Sequence, residues 1–439
     1  MITSEEKNYL RELAKKLQNI TLNEKWRQLE QDWKDLNRLK GRRTMIYSFM
    51  INDVWAEILH PSKTLKTKEP LLREIEYDIV KRIYRAEHFH CDTIIYPDIY
   101  VPIEYKFTDW VENRQKPFAD FTKEELRKAE AYHPVLESTD DIKKLRKPEL
   151  EYLDWKKTNE GYEMVCDILG DILPVHKGCP FGAHTDSEVF GWGMSIIDVL
   201  AELRGLESLF YDFYEEPEFL HETLAFMQEG YQDYIDTMEK EHLFIPNHSA
   251  YIGVNAVSGG EGTSTGENGL AVTDELPGKD YDPENVMAKD LWGYCQGQEL
   301  TDVSGDMRSE FCLDYQKPIA ERFGMLAYGC CENNDFNYDN ILNTFSKNLR
   351  VVSVPYCSNL QIAAERLKDH VMAWRPLTEP IGMFNEEKFR NETMKSMEIM
   401  KDNNAAYWCG APLTLEGQPE VLETMTKIVR ECSEAFARS

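Results

Sequence analysis

Short apolar runs alternate with longer amphipathic stretches in the last third of the chain. Four of these runs end at Cys330, Val354, Trp374 and Cys409, and the stretch after each run spaces its apolar residues as a helix does. Continuous apolar runs are typical of strands that are buried on both faces of a parallel sheet. The pattern therefore predicts a β-strand followed by an α-helix, repeated four times.

The earlier part of the chain shows a similar rhythm with more interruptions. Residues 44–52 predict the first strand, and residues 168–175 predict another. Residues 93–101 are rich in strand-forming side chains but contain Pro97, which favours an edge hairpin over a central strand. Strand–helix alternation of this extent favours a (β/α)8 TIM barrel in the α/β class. A doubly wound open sheet is the alternative, although no G-x-G-x-x-G motif follows the first predicted strand.

The same pattern divides the chain into three parts. Residues 1–42 are polar, keep helical spacing of their leucines and tryptophans, and predict an N-terminal helical extension. Residues 43–439 are assigned to the barrel. Within them, residues from about 105 to 160 are charged and interrupted by prolines, so we expect an insertion that covers the barrel mouth.

Composition narrows the classes of partner. Asp and Glu outnumber Lys and Arg by 78 to 50, which gives a formal net charge of −28 and disfavours nucleic acids and anionic membranes as partners. No apolar run is long enough to predict a membrane span, and the first helix lacks the apolar core of a signal peptide. The ten cysteines show no disulfide framework. We therefore expect a cytoplasmic protein with reduced thiols, and a homodimer is compatible with its sequence.

The densest group of chemically versatile residues follows the predicted strand that ends at Cys330. Cys330, Cys331 and Glu332 come directly after the run, at the end where α/β folds place their chemistry. Two thiols and a carboxylate can bind zinc or a similar metal. The alternative is that both cysteines are small core residues. Neighbouring side chains on a strand point to opposite faces, so at most one of the two thiols points into a barrel.

Further polar residues stand at the ends of other predicted strands. Asn52 and Asp53 follow the first strand, with Trp55 close behind, although Asp53 also suits a helix cap. Arg375 ends a later strand. Three histidines lie in or beside loops that follow or precede predicted strands: His176, His184 and His248.

Several stretches resemble the uroporphyrinogen decarboxylase-like superfamily, most closely its bacterial branch related to cobamide-dependent methyltransferases. They are Leu-Trp-Gly-Tyr-Cys-Gln-Gly-Gln-Glu at 291–299, Glu-Arg-Phe-Gly-Met-Leu-Ala-Tyr-Gly-Cys-Cys-Glu at 321–332, Asn-Leu-Arg-Val-Val-Ser-Val-Pro at 348–355, Val-Thr-Asp-Glu-Leu-Pro at 272–277 and Thr-Leu-Glu-Gly-Gln-Pro at 414–419. The resemblance covers roughly residues 43–439. It implies a (β/α)8 barrel with its site at the C-terminal ends of the strands.

The resemblance also implies a metal site. Methyltransferases of this superfamily hold zinc with a His-x-Cys at one strand end and a cysteine at a later one. Cys330 matches the first cysteine and Cys409 the later one, whereas Tyr328 stands in place of the histidine. Glu332, His184 and His248 are candidates to replace that histidine. The arginine motif with which true uroporphyrinogen decarboxylases grip their substrate is missing, which disfavours decarboxylation of a porphyrinogen.

The resemblance thus implies a methyltransferase that moves a methyl group between a small methylated compound and a corrinoid cofactor (cobalamin) or a corrinoid protein, with zinc as a candidate Lewis acid. Asp53, Glu332 and Arg375 are the candidate catalytic residues. The candidate substrate-binding residues are Asn52, Trp55, His176, His184, His248 and Tyr328, and the candidate metal ligands are Cys330 and Cys409. Aromatic side chains of the insertion suit a partly apolar substrate or pack the insertion onto the barrel: Tyr105, Phe107, Trp110, Phe118 and Phe121.

Two alternatives belong to other functional classes. In a cofactor-free decarboxylase, Arg375 or Lys177 would hold the carboxylate of a small substrate, and Asp53 would stabilise developing positive charge. A non-catalytic small-molecule binding protein is the second alternative, because one fold hosts many functions.

Overall fold

The computed structural model describes residues 2–48, 50, 52–112, 114, 134–178, 187–190, 193–247, 270–378, 380–410 and 414–438. His184 and His248 lie outside the described residues. The strands are β1 Met45–Tyr47, β2 Ile99–Val101, β3 Tyr105–Phe107, β4 Leu150–Leu153, β5 Val175–Lys177, β6 Trp292–Cys295, β7 Met325–Tyr328, β8 Leu349–Pro355, β9 Val371–Arg375 and β10 Asn404–Trp408.

The helices follow the amphipathic stretches of the sequence. They are α1 Ser4–Thr21, α2 Lys25–Asn37, α3 Asn52–Leu59, α4 Pro61–Thr64, α5 Pro70–His88, α6 Trp155–Leu169, α7 Ser187–Phe190, α8 Ile196–Arg204, α9 Leu206–Glu215, α10 Pro217–Lys240, α11 Gly305–Arg308, α12 Asp314–Ala320, α13 Tyr338–Thr344, α14 Leu360–Arg366, α15 Glu386–Met400 and α16 Glu420–Ala435. Within the described part of the chain, none of them combines the length and apolar character that a membrane span requires.

The centre of the fold is a six-stranded sheet in the order β1-β10-β9-β8-β7-β6, with every neighbouring pair parallel. Parallel neighbours need a crossover connection, and helices supply it between β7 and β8, β8 and β9, and β9 and β10. The α/β class and the four strand–helix units predicted for the last third of the chain are confirmed.

Two short sheets involve the earlier strands. β2 and β5 form a parallel pair, and β3 and β4 form an antiparallel pair. The edge hairpin predicted for residues 93–101 is therefore wrong, because β2 pairs in parallel with a strand far along the chain. The strand predicted for residues 168–175 is also wrong. Ile168 and Leu169 are buried in the last turn of α6, and β5 begins only at Val175.

The central sheet separates two apolar cores, because successive side chains on a strand point to opposite faces. One core packs sheet residues against helices such as α10, α15 and α16; its members from the sheet include Ile46, Leu326, Tyr328, Val352, Val354, Met372, Trp374, Tyr407 and Cys409. We call this the helix-side core. The opposite core includes Met45, Tyr47, Trp292, Tyr294, Met325, Ala327, Val351, Val371, Ala373 and Ala406. It joins the sheet to the segment before β2 and to α1, α2, α5 and α6.

The insertion is anchored on the described part of the protein by aromatic packing. Trp110 is fully buried, and its indole N–H donates to the Val189 carbonyl oxygen over 2.9 Å. Its ring lies 5.8 Å from the rings of both Phe190 and Tyr231. Phe107 packs 4.9 Å from Tyr234. These two aromatic residues of the insertion are core residues, whereas Phe118 and Phe121 lie outside the described residues.

A buried carboxylate ties the start of the sheet to the two ends of the chain. Asp92 is fully buried, accepts a hydrogen bond from the Ile46 backbone N–H over 2.7 Å, and binds both Arg43 and Arg430. Burial alone would raise the pKa of Asp92, but the two guanidinium groups hold it below its ordinary value. The Trp33 indole of α2 donates to the Asp92 carbonyl oxygen over 2.9 Å. Asp92 therefore joins α2, β1 and α16.

Replacing Asp92 by Ala should lower the free energy of unfolding by about 3–5 kcal/mol, because it leaves two guanidinium groups without their buried partner. Urea denaturation at neutral pH measures the change. The matched control is Asp171→Ala, which breaks the exposed bidentate pair with Arg11 and should cost less than about 1 kcal/mol. Equal losses in the two variants would contradict this role for Asp92.

Candidate functional site

The candidate site lies where β7 and β9 end. After Tyr328 the chain turns at Gly329, whose φ of 94° is a conformation that residues with a side chain rarely adopt. The Tyr294 hydroxyl donates to the Gly329 carbonyl oxygen over 3.1 Å, and the Ser353 hydroxyl donates to the Cys330 carbonyl oxygen over 2.9 Å. The neighbouring strands thus fix the backbone that carries the two adjacent thiols.

The two thiols lie beside one guanidinium group. The Sγ atoms of Cys330 and Cys331 are 3.6 Å apart, and Nη1 of Arg375 donates to the Cys330 Sγ over 3.3 Å. The guanidinium also stacks over the Trp408 ring at 4.8 Å from its centroid. Cys330 is half-buried, whereas Cys331 is exposed. The arrangement therefore presents one sulfur to solvent and holds the other against a cation.

This geometry gives the two thiols different acidities. A hydrogen bond from Cys330, helped by the positive charge of Arg375, lowers the pKa of Cys331 to about 6. The same hydrogen bond and burial raise the pKa of Cys330 well above its ordinary value. These shifts favour the thiolate form at Cys331 over the thiolate form at Cys330. A thiolate, unlike a thiol, is a good nucleophile and metal ligand.

Glu332 stabilises the loop that carries the two thiols. Its side chain is fully buried, and its two oxygens accept backbone hydrogen bonds from Cys330 over 2.8 Å and from Gly297 over 3.2 Å. It thereby connects the loop after β7 to the loop after β6. These contacts make Glu332 a positioning residue, and its catalytic role stays a prediction.

Asp198 lies close to Glu332, and its sequence context does not mark it as a candidate site residue. It stands in the first turn of α8, where acidic residues are common, so its position gives no functional signal. Its carboxylate accepts hydrogen bonds from the Gln296 side chain over 2.9 Å and from the Glu299 backbone over 3.3 Å. Burial, followed by the charge of Glu332, raises the pKa of Asp198 to about 8.

A metal site shared by Cys330 and Cys409 stays a prediction, because the two thiols have different described surroundings. Cys409 is buried in the helix-side core, and burial raises the pKa of its thiol. Cys330 contacts Arg375, whose guanidinium lies over Trp408, and the Trp408 ring packs on the opposite core. Nowhere in the described ranges do three His, Cys, Asp or Glu side chains lie close enough to hold a metal ion.

Tyr328 also faces the helix-side core. Its ring centroid is 5.4 Å from that of Phe345, and the side chain is fully buried. Burial raises the pKa of its hydroxyl well above the ordinary value. Tyr328, which the resemblance aligns with a metal-binding histidine, is therefore a core residue in this structure, and a substrate-binding role for it stays a prediction.

The residues after β1 lie at the start of α3, which begins at Asn52. Asp53 stands in the first turn of that helix, and its charge adds to burial in raising the pKa of Tyr77 to about 12. Trp55 is buried against α5, with its ring 6.2 Å from Tyr84 and 6.1 Å from Phe89. The Arg85 guanidinium also lies 5.6 Å from the centroid of the Trp55 ring. A substrate role for these residues stays a prediction.

His176 makes a separate polar pair on β5. Its Nε2 lies 2.7 Å from the Asp98 Oδ1, and its ring is 5.3 Å from that of Tyr100. Lys177, the next residue, points the other way and contacts Asn159 and Tyr162 of α6. Of the basic residues proposed to hold a carboxylate, only Arg375 lies at the thiol pair.

Asp198 should make stability fall as the pH rises from about 4 to about 8, because native Asp198 keeps a proton that the unfolded chain, with an ordinary pKa of 3.8, releases. Below about pH 6 the two thiols add nothing to this slope, whereas above it the lowered pKa of Cys331 offsets the fall. Replacing Asp198 by Asn removes the titration of this carboxyl group and should flatten the profile below about pH 6. Urea denaturation at several pH values measures the slope. Asp167→Asn, at an exposed position, is the control and should leave the wild-type slope unchanged. An equally steep profile in Asp198→Asn would contradict the raised pKa.

Comparisons with known proteins do not identify a function for this site. The sequence matches no protein-family model, and it matches no curated protein. Among solved structures, a methyltransferase from Methanosarcina mazei is similar over 92% of this chain and 98% of its own, with 9% sequence identity and a TM-score of 0.46. At that TM-score the two structures agree only in broad outline, so the likeness does not bear on the chemistry of this chain.

Proposed function

We propose that this chain is an enzyme that transfers a methyl group, with the Cys331 thiolate as the nucleophile that receives it. The observation that carries the proposal is the contact of the exposed Cys331 with Cys330, 3.6 Å between the Sγ atoms, beside the Arg375 guanidinium; these neighbours lower the pKa of Cys331 to about 6. A soft, polarisable thiolate attacks saturated carbon readily. The site lies at the C-terminal ends of parallel strands, where catalytic groups of α/β folds are commonly placed.

The electron balance of the step is simple. A lone pair of the Cys331 sulfur forms the new bond to the methyl carbon, while the bond from that carbon to its oxygen, nitrogen or sulfur carrier breaks and leaves its electron pair on the carrier. In the second step an acceptor attacks the methyl carbon. The bond between that carbon and the Cys331 sulfur then breaks, and its electron pair stays on the sulfur, which is a thiolate again. Cys330 and Arg375 stabilise that thiolate by a hydrogen bond and by charge, so the same contacts favour both steps.

The surroundings of Cys331 suit a corrinoid that is presented from outside. The side chains of Phe336, Tyr356, Leu377 and Met383 are more than half exposed, and they lie in the loops after β7, β8 and β9. The Cys357 thiol, next to Tyr356, contacts the Cys331 carbonyl oxygen over 3.5 Å. These exposed apolar side chains form an apolar rim on the loops that follow the strands of the site, and exposed apolar patches are typical of docking surfaces. A corrinoid protein that docks there would supply a cobalt centre able to exchange the methyl group.

Zinc has no part in this proposal. His184 and His248 lie outside the described residues, within which no three His, Cys, Asp or Glu side chains lie close enough to act as metal ligands. At Cys331, a guanidinium group and a neighbouring thiol do what a Lewis acid would do, because they stabilise negative charge on sulfur.

We also infer that the six-stranded sheet and the β2–β5 pair close into one eight-stranded barrel. At one edge of the sheet, the Asp92 backbone N–H donates to the Ile46 carbonyl oxygen of β1 over 2.7 Å, just before the chain reaches β2. At the other edge, the Asn247 side chain bonds both the backbone N–H and the carbonyl oxygen of Trp292 in β6. An experimental structure with either edge open to solvent would overturn this inference.

Thiol labelling tests the charge on Cys331 without any substrate. Iodoacetamide should alkylate Cys331 fastest of the thiols, and Arg375→Gln should raise the pKa of this thiol by about one unit. Because less thiolate is then present, the reaction should slow about twofold at pH 7 and up to about tenfold at pH 5. The exposed Cys357, whose pKa is raised, is the comparison thiol, and Cys357→Ser should leave the fast phase intact. A fast phase that persists in Cys331→Ser would assign the reactive thiol to another residue.

Methyl transfer itself is tested by mass spectrometry. The protein is incubated with methoxylated aromatics, methylamines and methyl thiols, each with and without cob(I)alamin. The Cys331 peptide should gain the mass of one CH2 unit, and Cys331→Ser should reduce turnover by more than about a thousandfold because the nucleophile is lost. Cys357→Ser serves as the matched control. Full activity of Cys331→Ser would overturn the proposal.

A further inference from the structure

Three buried hydrogen-bond donors without partners gather beside the thiol pair. They are the Tyr47 hydroxyl, the Arg375 Nε–H and the Trp408 indole N–H; none of the three has a hydrogen-bond partner among the described residues. They belong to β1, β9 and β10, which are neighbours in the order β1-β10-β9. Tyr47 and Trp408 are partners in the β1–β10 register, and the Arg375 guanidinium lies over the Trp408 ring.

Such a group is unusual in a native fold. Buried donors nearly always have an acceptor, and each one without a partner costs free energy. Three such donors lie at the C-terminal ends of neighbouring parallel strands, and one of them belongs to the side chain that contacts the Cys330 thiol. We take this as a sign that the missing acceptor is a ligand. The residues differ in type and come from separate strands, so no single local irregularity explains them.

The packing around the indole shows that the group is held in place. A Cβ atom added at Gly410 would lie 2.2 Å from the Cζ2 of Trp408, so no larger residue fits there while the ring keeps its position. The indole therefore lies against Gly410 and also against Arg375. Tyr47 is completely buried, in the core opposite the helix-side core. The Arg375 guanidinium is fixed further by its hydrogen bond to the Cys330 sulfur.

The chemistry of the group selects an anionic oxygen ligand. All three free positions can donate, one of them belongs to a cation, and Cys330 already occupies the Nη1 of Arg375. A carboxylate offers two acceptor oxygens in one plane and a negative charge, which matches a guanidinium and two flanking donors. The chain as a whole is acidic, with a formal net charge of −28, so a positively charged site of this kind is a local exception. Its charge favours anionic over neutral ligands.

We propose that Tyr47, Arg375 and Trp408 bind the carboxylate of the substrate, so that the site accepts methylated carboxylic acids. This inference rests on the proposed methyl transfer and names the substrate class for the same site. Arg375 contacts both Cys330 and Trp408, so a carboxylate held by the three donors lies on the same side of the sheet as the thiol pair. The methyl group of a short acid then reaches toward the Cys331 sulfur.

Binding of matched ligand pairs tests the inference without catalysis. Isothermal titration calorimetry compares methoxybenzoates and N-methylated amino acids with their primary amides, which keep the shape and lose the charge. The acids should bind at least about tenfold more tightly than the amides, because the amide cannot neutralise the guanidinium. Equal affinities for acid and amide would overturn the proposal, and so would tighter binding of inorganic phosphate than of every carboxylate.

Single-atom changes then identify the donors. Tyr47→Phe removes one hydroxyl and should weaken binding of the acid about five- to tenfold, while the melting temperature of the free protein stays the same or rises, because the hydroxyl has no partner there. Trp408→Phe should weaken binding similarly. Tyr152→Phe and Trp155→Phe, at exposed positions, are the matched controls and should change neither quantity. Unchanged affinity in Tyr47→Phe together with a lower melting temperature would show a packing role and overturn the assignment.

The two proposals fail in different ways. If carboxylate binding depends on Tyr47 and Trp408 but Cys331 is never methylated, the binding site stands and methyl transfer does not. If Cys331 is methylated equally fast by acids and amides in both wild type and Tyr47→Phe, the reaction stands and the carboxylate site is overturned. Cys331→Ser, which leaves all three donors in place and removes a nearby negative charge, should bind the acids at least as tightly as wild type does.

Discussion

In a parallel sheet, neighbouring residues of a strand point to opposite faces, and here that rule decides which polar side chains can meet. The central sheet is covered on both sides by apolar cores. Tyr328 and Cys409 fall on the helix side, where they are buried among apolar side chains. Cys330 and Arg375 meet on the other side, at the open ends of β7 and β9. Which polar side chains meet at the site therefore depends on the face of the sheet to which the last residues of each strand point.

The electrostatics of the site depend on one cation among several acidic groups. The positive charge of Arg375 favours the thiolate form of Cys331. Glu332 needs no cation because its oxygens bind two backbone N–H groups. Burial and the charge of Glu332 raise the pKa of Asp198, so its carboxyl group keeps its proton over much of the neutral range. Removing the charge of Arg375 would leave the Cys331 thiolate without the only cation described beside it, which is why both proposals involve this residue.

A thiolate that is exposed and a donor group that is buried have complementary uses. The exposed sulfur of Cys331 can be approached from outside, across the apolar rim formed by the loops after β7, β8 and β9. The buried donors of Tyr47 and Trp408 can hold a small acid from inside. A methyl group carried by such an acid would lie between the two. Under the two proposals, a small substrate and a large partner would reach the same sulfur from different directions, as a two-step transfer requires.

The sequence by itself determined the strand–helix repeats of the last third, because apolar runs and amphipathic spacing are local properties that β7 to β10 and their helices express directly. It also marked Cys330, Cys331 and Arg375 as the ends of buried strands. It could not show that Cys409 and Tyr328 face away from Arg375, since the phase of a strand at its end depends on pairing and on turns such as that at Gly329. Nor could it single out Tyr47 and Trp408, which are indistinguishable from core aromatics in an apolar strand. Only the tertiary structure showed that their polar atoms are buried beside a guanidinium group without a partner, because hydrogen-bond satisfaction depends on residues distant in sequence.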